Sequence, residues 1–339
     1  MDTPLLRVEG LQTHFTSEHG LIKAVDGVDF EIGRGKVLGM VGESGSGKSV
    51  TGLSILRLLG SRNARIAGGR ILFQGEDLLT RSEAEMRAIR GGRISMVFQN
   101  AMTSLDPFYR VEDQLVEVIR LHQGLNKKEA RDKALHALEL VHMPDPVKKI
   151  RSYPHQLSGG QRQRVVIALA LACEPELLIA DEPTTALDAT VQKQIIDLLL
   201  EINADLGTAV LMITHDMGVV AHLCDTVAVM YAGRIVEHGE VRTVLSSPQH
   251  PYTRGLMASV PRLRTEAAGP GAVRQRLYQI GGSAPLPLRL TEGCAFSPRC
   301  AEVGDECWTV DPPTVGFRDG QEAVCHRRAE ERVDQRVRA

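Results

Sequence analysis

The octapeptide GESGSGKS at residues 42–49 constrains this chain more than any other stretch. It fits the template of a glycine, four spacers and Gly-Lys-Ser, and it lies between an apolar run, VLGMV, and a helical pattern, VTGLSILRLL. A strand that turns through glycines into a helix leaves successive amides pointing inward, where they suit phosphate oxygens. Lys48 supplies charge to the β and γ phosphates, and the Ser49 hydroxyl is a candidate magnesium ligand. Gly42, Ser44, Gly45, Gly47, Lys48, Ser49 and Val50 are therefore candidate residues for binding ATP or GTP with Mg2+. The bland alternative, a glycine-rich turn without a ligand, fits the flanking strand and helix poorly.

A metal-bound nucleotide needs a second acidic group, and LLIADEP at 177–183 supplies one. Its apolar residues predict a buried parallel strand whose C-terminal end presents Asp181 and Glu182 where open α/β sheets bind ligands. Asp181 suits the magnesium, and Glu182 suits the attacking water as a base or orienting group. A lone Asp-Glu pair is more often a solvated strand end; the phosphate loop in the same chain shifts the balance.

A third stretch, LSGGQRQRVVIALA at 157–170, opens a helix with a serine cap and two glycines. Exposed amides and the positive end of a helix dipole make Ser158, Gly159 and Gly160 a candidate anion site.

The 339 residues suffice for one large domain and an appendage, and 40 basic against 42 acidic residues give no field that favours nucleic acid or an anionic membrane. No run approaches eighteen apolar residues, and the first residues lack a signal-peptide pattern, so a cytosolic chain without a membrane span is expected. The runs LLRVEG, GVDFEI and KVLGMV within residues 5–41 predict a small sheet. Apolar residues at three and four spacing in VEDQLVEVIRLHQG and KKEARDKALHALELVHM predict a helical insertion ended by Pro144 and Pro146. Beyond it, ELLIAD, TAVLMIT and TVAVMY alternate with helical segments, as in a parallel sheet covered on both faces. From Pro248 onward Pro and Gly become frequent, which predicts a separate unit carrying four of the six cysteines.

The phosphate loop, LSGGQ at 157–161, the acidic strand end, ALD at 186–188 and ITHD at 213–216 together resemble an ABC-type ATPase. The resemblance implies an α/β fold: a P-loop nucleotide-binding domain with a mixed or parallel sheet, a small antiparallel β subdomain and a helical subdomain at about 100–165. It implies that Ser158, Gly159, Gly160 and Gln161 cap the γ-phosphate of ATP held by a neighbouring cassette, so two chains share two sites. It also gives Gln99 contacts to magnesium and water, His215 the γ-phosphate and the attacking water, and Asp188 a place at the dimer interface. Phe15 falls where the family stacks an aromatic on adenine. Thr185 departs from the more usual Ser, whereas every catalytic position holds the family residue.

Further along, FQNAMTSLDPFYRVEDQL, SYPHQLSGGQRQRV and SPQHPYTRGLMASVP resemble the ATP-binding subunits of bacterial dipeptide and oligopeptide importers, a group that includes nickel importers. This implies a cassette at 1–248 and an importer-type extension at 249–339. The partners implied are a second ATPase subunit, typically a paralogue, two transmembrane permease subunits docking near residues 100–120, and indirectly an extracytoplasmic solute-binding protein. The implied location is peripheral, on the cytoplasmic face of the inner membrane. A soluble ABC ATPase acting on nucleic acid is the competing class; the long coiled-coil insertions or paired cassettes usual there are absent from this sequence, and nucleic acid is not an expected partner.

Cys294, Cys300, Cys307 and Cys325 are separated by five, six and seventeen residues, spacings that identify neither a zinc knuckle nor a ferredoxin. Four thiols in a core-poor segment suggest a metal staple. The resemblance implies a [4Fe-4S] cluster, with Zn2+ as alternative and His326 as a possible substitute ligand. The bland alternative is four thiols without metal, as expected of Cys173 and Cys224 in the core.

Overall fold

The computed structural model describes residues 3–60, 63–99, 104–185, 187–260, 278–283 and 292–330. Ala186 of the ALD motif, residues 100–103 of the expected permease-docking segment and parts of the extension lie outside them.

Two sheets organise the chain. Strands β1 (Leu6–Ser17) and β2 (Gly20–Ile32) form a long antiparallel pair, joined by β4 (Ala64–Phe73) and β5 (Glu76–Asp77) in the order β2-β1-β4-β5. Alternating burial in β2 leaves one face for the core, as period-two patterning requires. The third run expected in this small sheet, β3 (Val37–Val41), goes elsewhere: it pairs in parallel with β8 (Ala209–Thr214) and β9 (Thr226–Tyr231) at the centre of the large sheet. All five of its residues are buried, the mark of a central parallel strand rather than a half-exposed antiparallel one.

The large sheet has eight strands in the order β11-β12-β10-β9-β3-β8-β7-β6. Strands β6 (Ile94–Val97) and β7 (Leu177–Asp181) continue its parallel half. On the other side β10 (Arg234–Glu240) turns antiparallel, and β12 (Glu322–Val324) and β11 (Thr314–Gly316) extend that edge. The sheet is therefore mixed, and the chain beyond Pro248 contributes two of its strands.

The helical insertion forms as the periodicity predicts, with helices Val111–Gln123 and Lys127–Leu140. Gly124 at φ 66° ends the first, and Asn126 with Glu129 caps the second in a reciprocal pair of hydrogen bonds. Their apolar faces close on helices Gly159–Leu171 and Ala189–Leu206 over one side of the large sheet. The other side packs against the small sheet and helix Lys48–Ile55.

A third core lies under the extension. Tyr231, Tyr252 and Phe296 pack ring against ring, with centroids 4.6–5.4 Å apart, and Cys294, Ala295, Cys300 and Ile280 press on the same cluster. Beside it the buried Glu237 carboxylate accepts from Gln249 N at 2.7 Å, His250 N at 2.8 Å and Gln321 Nε2 at 2.7 Å, which ties β10 to both halves of the extension. The chain beyond Pro248 thus packs on a core that includes Val227, Val229 and Tyr231 of β9.

Candidate functional site

The phosphate loop leaves β3 through glycines in conformations that other residues rarely adopt: φ is 155° at Gly42, 79° at Gly45 and 106° at Gly47. A Cβ on Gly42 would sit 2.1 Å from Met230 O, and one on Gly47 would sit 2.3 Å from Ala24 O, so the loop is walled by backbone. A Cβ on Gly45 would meet nothing within 4 Å, and Gly45 and Ser44 are both exposed. Lys48, only 5% exposed, donates to Gly42 O at 2.8 Å and Glu43 O at 2.9 Å. Burial pushes its ammonium pKa down, while the charges of Glu182, Asp181 and Glu43 oppose that shift. Val50 packs its half-buried side chain on the core beneath.

The next residue reaches the acidic strand end: Ser49 Oγ donates to Asp181 Oδ1 at 2.9 Å. Burial raises the Asp181 carboxyl above its ordinary range, only partly offset by the Ser49 hydrogen bond. A hydroxyl and a carboxylate in contact, short of compensating positive charge, form a hard oxygen donor set that fits Mg2+.

Glu182 follows with φ 46°, a left-handed backbone that takes the chain out of β7 and is held by Glu182 N on Ile213 O at 2.9 Å. Its carboxylate is the hub of the site. Oε2 accepts from Gln99 Nε2 at 3.0 Å and Thr185 Oγ1 at 2.8 Å, and Oε1 lies 3.1 Å from His215 Nδ1. Burial pushes the Glu182 carboxyl up, but these hydrogen bonds and the charge of His215 outweigh it and hold the group below its ordinary value. The group stays ionised at neutral pH and aimed by three side chains, as a general base requires.

Lys48, Ser49, Gln99, Asp181, Glu182 and His215 thus meet at the C-terminal ends of β3, β6, β7 and β8. The other candidates are not in that cluster. Ser158 caps its own helix, accepting from Gln161 N at 3.3 Å while Ser158 N donates to Gln161 Oε1 at 3.3 Å. Ser158 and Gly159 are exposed. A Cβ on Gly160 would come 2.8 Å from Val191 Cγ1, so this glycine lets helix Gly159–Leu171 lie close against helix Ala189–Leu206. Asp188 caps the latter, its Oδ1 accepting from Thr190 N at 3.1 Å and Val191 N at 3.0 Å. Phe15 is half-buried in β1, paired with Ile22 and Ala64.

The cysteine expectation is overturned. Among the described residues no group of three or more His, Cys, Asp or Glu side chains is placed to hold a metal ion, so neither a [4Fe-4S] cluster nor zinc at Cys294, Cys300, Cys307 and Cys325 is supported. None of the six cysteines is in a disulfide. Burial pushes the Cys294 thiol up to about 11 and also raises Cys300 and Cys325. Cys300 and Cys307 accept from backbone N–H groups of Glu302 at 3.4 Å and Gly304 at 3.5 Å, and His326 Nε2 is spent on Val310 O at 3.0 Å. A staple is expected of a segment that lacks a core, and the aromatic cluster of Tyr231, Tyr252 and Phe296 supplies one. Cys173 and Cys224 pack against the apolar core as expected.

Two contacts to the phosphate loop were not anticipated. Glu43 N donates to Tyr252 Oη at 2.8 Å, and the Glu43 carboxylate pairs with Arg299. Tyr252 lies in SPQHPYTRGLMASVP, whose pattern gives no sign of this contact, and Arg299 lies in none of the motifs quoted above.

The ABC transporter family profile matches residues 25–185, and the profile of the oligopeptide/dipeptide transporter C-terminal region matches residues 236–307. The oligopeptide transport ATP-binding protein OppD of Salmonella typhimurium is 47% identical over 327 residues, covering 96% of this chain and 95% of its own. AppD of Bacillus subtilis, of the same description, is 44% identical, with 98% and 99% covered. Among solved structures, the dimeric structure of MJ0796, a bacterial ABC transporter cassette, superposes with a TM-score of 0.63 at 27% identity, covering 70% of this chain and 99% of that one. The same cassette is known as a dimer in a post-hydrolysis state bound to ADP and Pi, with equal scores.

Proposed function

The chain belongs to the ABC transporter ATPases, in the oligopeptide and dipeptide group, and from that premise we propose that it is the ATP-hydrolysing motor subunit of a peptide importer. The observation that carries this reading is the Glu182 carboxylate, held by Gln99, Thr185 and His215 next to the Ser49–Asp181 contact and the phosphate loop. The division at 248/249 into cassette and extension, with a helical subdomain at about 100–165, belongs to the same reading.

The loop amides of residues 42–49 and the Lys48 ammonium bind the ATP phosphates, and Phe15 supports the adenine. Ser49, Asp181 and Gln99 would hold magnesium, which would offset charge on the phosphate oxygens. The Glu182 carboxylate takes the proton of the attacking water, and His215 and Gln99 orient both. The products are ADP and phosphate. Ser158, Gly159, Gly160, Gln161 and Asp188 serve ATP bound to a second cassette; the close packing that Gly160 permits lets these two segments move together. Because ATP binds both faces only when the dimer closes, nucleotide favours the closed state and hydrolysis releases it. Among the described residues no helix is long and apolar enough to cross a membrane. As for the oligopeptide transport ATP-binding proteins it resembles, the pathway for solute lies in permease partners, to which this subunit binds from the cytoplasmic face.

The test is reconstitution in proteoliposomes with the two permease subunits, a partner ATPase and a solute-binding protein. Peptide uptake should require MgATP and vanish with Lys48→Ala in this chain. Uptake of nickel but not peptide would overturn the solute, and hydrolysis stimulated by nucleic acid but not by permease would overturn the importer reading.

A further inference from the structure

Glu43, the second residue of the phosphate loop, has every polar group tied. Its N–H goes to Tyr252 Oη at 2.8 Å, and its carbonyl accepts from Lys48 Nζ at 2.9 Å. Its carboxylate takes both arms of one guanidinium, Arg299 Nη1 at 2.7 Å and Nη2 at 2.9 Å. Two of these three anchors come from the chain beyond the cassette.

Arg299 is itself fixed. Its side chain is 5% exposed. Nε donates to Gly281 O at 2.8 Å and Nη1 also reaches Tyr231 Oη at 3.3 Å. The guanidinium lies 5.8 Å from the Tyr231 ring centroid and 5.9 Å from that of Phe296. A planar, bidentate pair of this kind fixes direction as well as charge. The chemistry of the loop makes the charge matter: a carboxylate among amides that must receive phosphate repels its ligand unless a cation neutralises it.

We propose that Arg299 is a positioning residue for the phosphate loop, acting through Glu43, so that the segment after the cassette sets how tightly the loop holds ATP. This rests on the reading of the loop as an ATP site. Tyr252 holds the same residue from its backbone side, and the Tyr231, Tyr252 and Phe296 cluster supports both anchors. A disturbance of the extension is therefore felt at the phosphates without touching Glu182.

The test is a double-mutant cycle on the full chain, with MgATP affinity measured by equilibrium dialysis and KM and kcat by phosphate release. Arg299→Met keeps the packed stem and leaves Glu43 unpaired; it should weaken MgATP about tenfold, which is about 1.4 kcal/mol, with the loss falling on KM more than on kcat. Adding Glu43→Gln removes the unpaired charge and should recover affinity to within about threefold of Glu43→Gln alone. Trp308, the single tryptophan, reports whether the extension stays folded. If its emission shifts in Arg299→Met, Arg299→Lys decides instead: it keeps the charge, loses the bidentate geometry, and should weaken MgATP about threefold. Affinity within twofold of wild type in the deciding variant overturns the proposal, as does a double variant no better than Arg299→Met. Lys48→Ala separates the two readings. If wild type itself fails to bind MgATP, the ATP site falls and this inference with it; if binding is lost in Lys48→Ala but unchanged in the Arg299 variants, this inference falls alone.

Discussion

Glu182→Gln separates chemistry from architecture at this site. The amide offers one acceptor and one donor where the carboxylate offered two acceptors. With its oxygen at the Oε2 position it keeps the bonds from Gln99 and Thr185, and its NH2 faces His215 Nδ1, which accepts once the ring carries its proton on Nε2. The structural cost is one exchanged hydrogen bond, about 1 kcal/mol. The loss of a general base is larger, about 10²- to 10⁴-fold or roughly 2.7–5.5 kcal/mol of barrier. Single-turnover phosphate release at saturating MgATP should therefore fall at least about 100-fold, while MgATP affinity stays within about threefold and ATP-bound dimers accumulate on size exclusion. The acid limb of the wild-type rate should also be shifted. Because the Glu182 carboxyl is held below its ordinary value of about 4.3, its protonation, and the loss of rate that follows, begins only at lower pH than for an unperturbed glutamate. A variant that releases phosphate within threefold of wild type would show that Glu182 is not the base and that its three partners serve only the fold.

Ser158→Arg places a bulky cation at an exposed cap, so the single chain should still bind nucleotide while dimer closure and hydrolysis fail. Mixed with Lys48→Ala in a homodimer built for the purpose, it should regain one competent site; confirmed mixed dimers without hydrolysis would argue against shared sites. Phe296→Ala empties a buried ring site facing Tyr231 and Tyr252 and should destabilise the extension by about 3–5 kcal/mol, read as a lower denaturation midpoint in Trp308 emission. An unchanged midpoint would mean that the aromatic cluster does not hold the extension in place.

Local features were legible and distant ones were not. The phosphate loop, the strand ending at Asp181 and the paired helices of the insertion declare themselves through spacing that acts over a few residues. The run KVLGMV carries the same β signal whichever sheet it joins; only its complete burial, visible in three dimensions, separates a central strand from a half-exposed one. The left-handed turn at Glu182 leaves no trace in DEP. Arg299 is unmarked because its partner lies in another part of the chain, 256 positions away. The cysteines misled for a related reason: their density suggested ligands, whereas Cys294 and Cys300 pack on the apolar cluster of Tyr231, Tyr252 and Phe296, which spacing does not reveal.

The loop that receives ATP is completed from both ends of the polypeptide, with separations of 209 residues to Tyr252 and 256 to Arg299. During translation at about 5–20 residues per second, roughly 13–50 s pass between synthesis of Glu43 and of Arg299. For the earlier part of that interval, until residues 209–231 have been made, β3 also lacks both neighbours in the sheet. A nascent or prematurely ended chain therefore carries the whole nucleotide motif without the walls that shape it. Until Tyr252 and Arg299 are made, Glu43 lacks the two anchors that hold its backbone and its carboxylate.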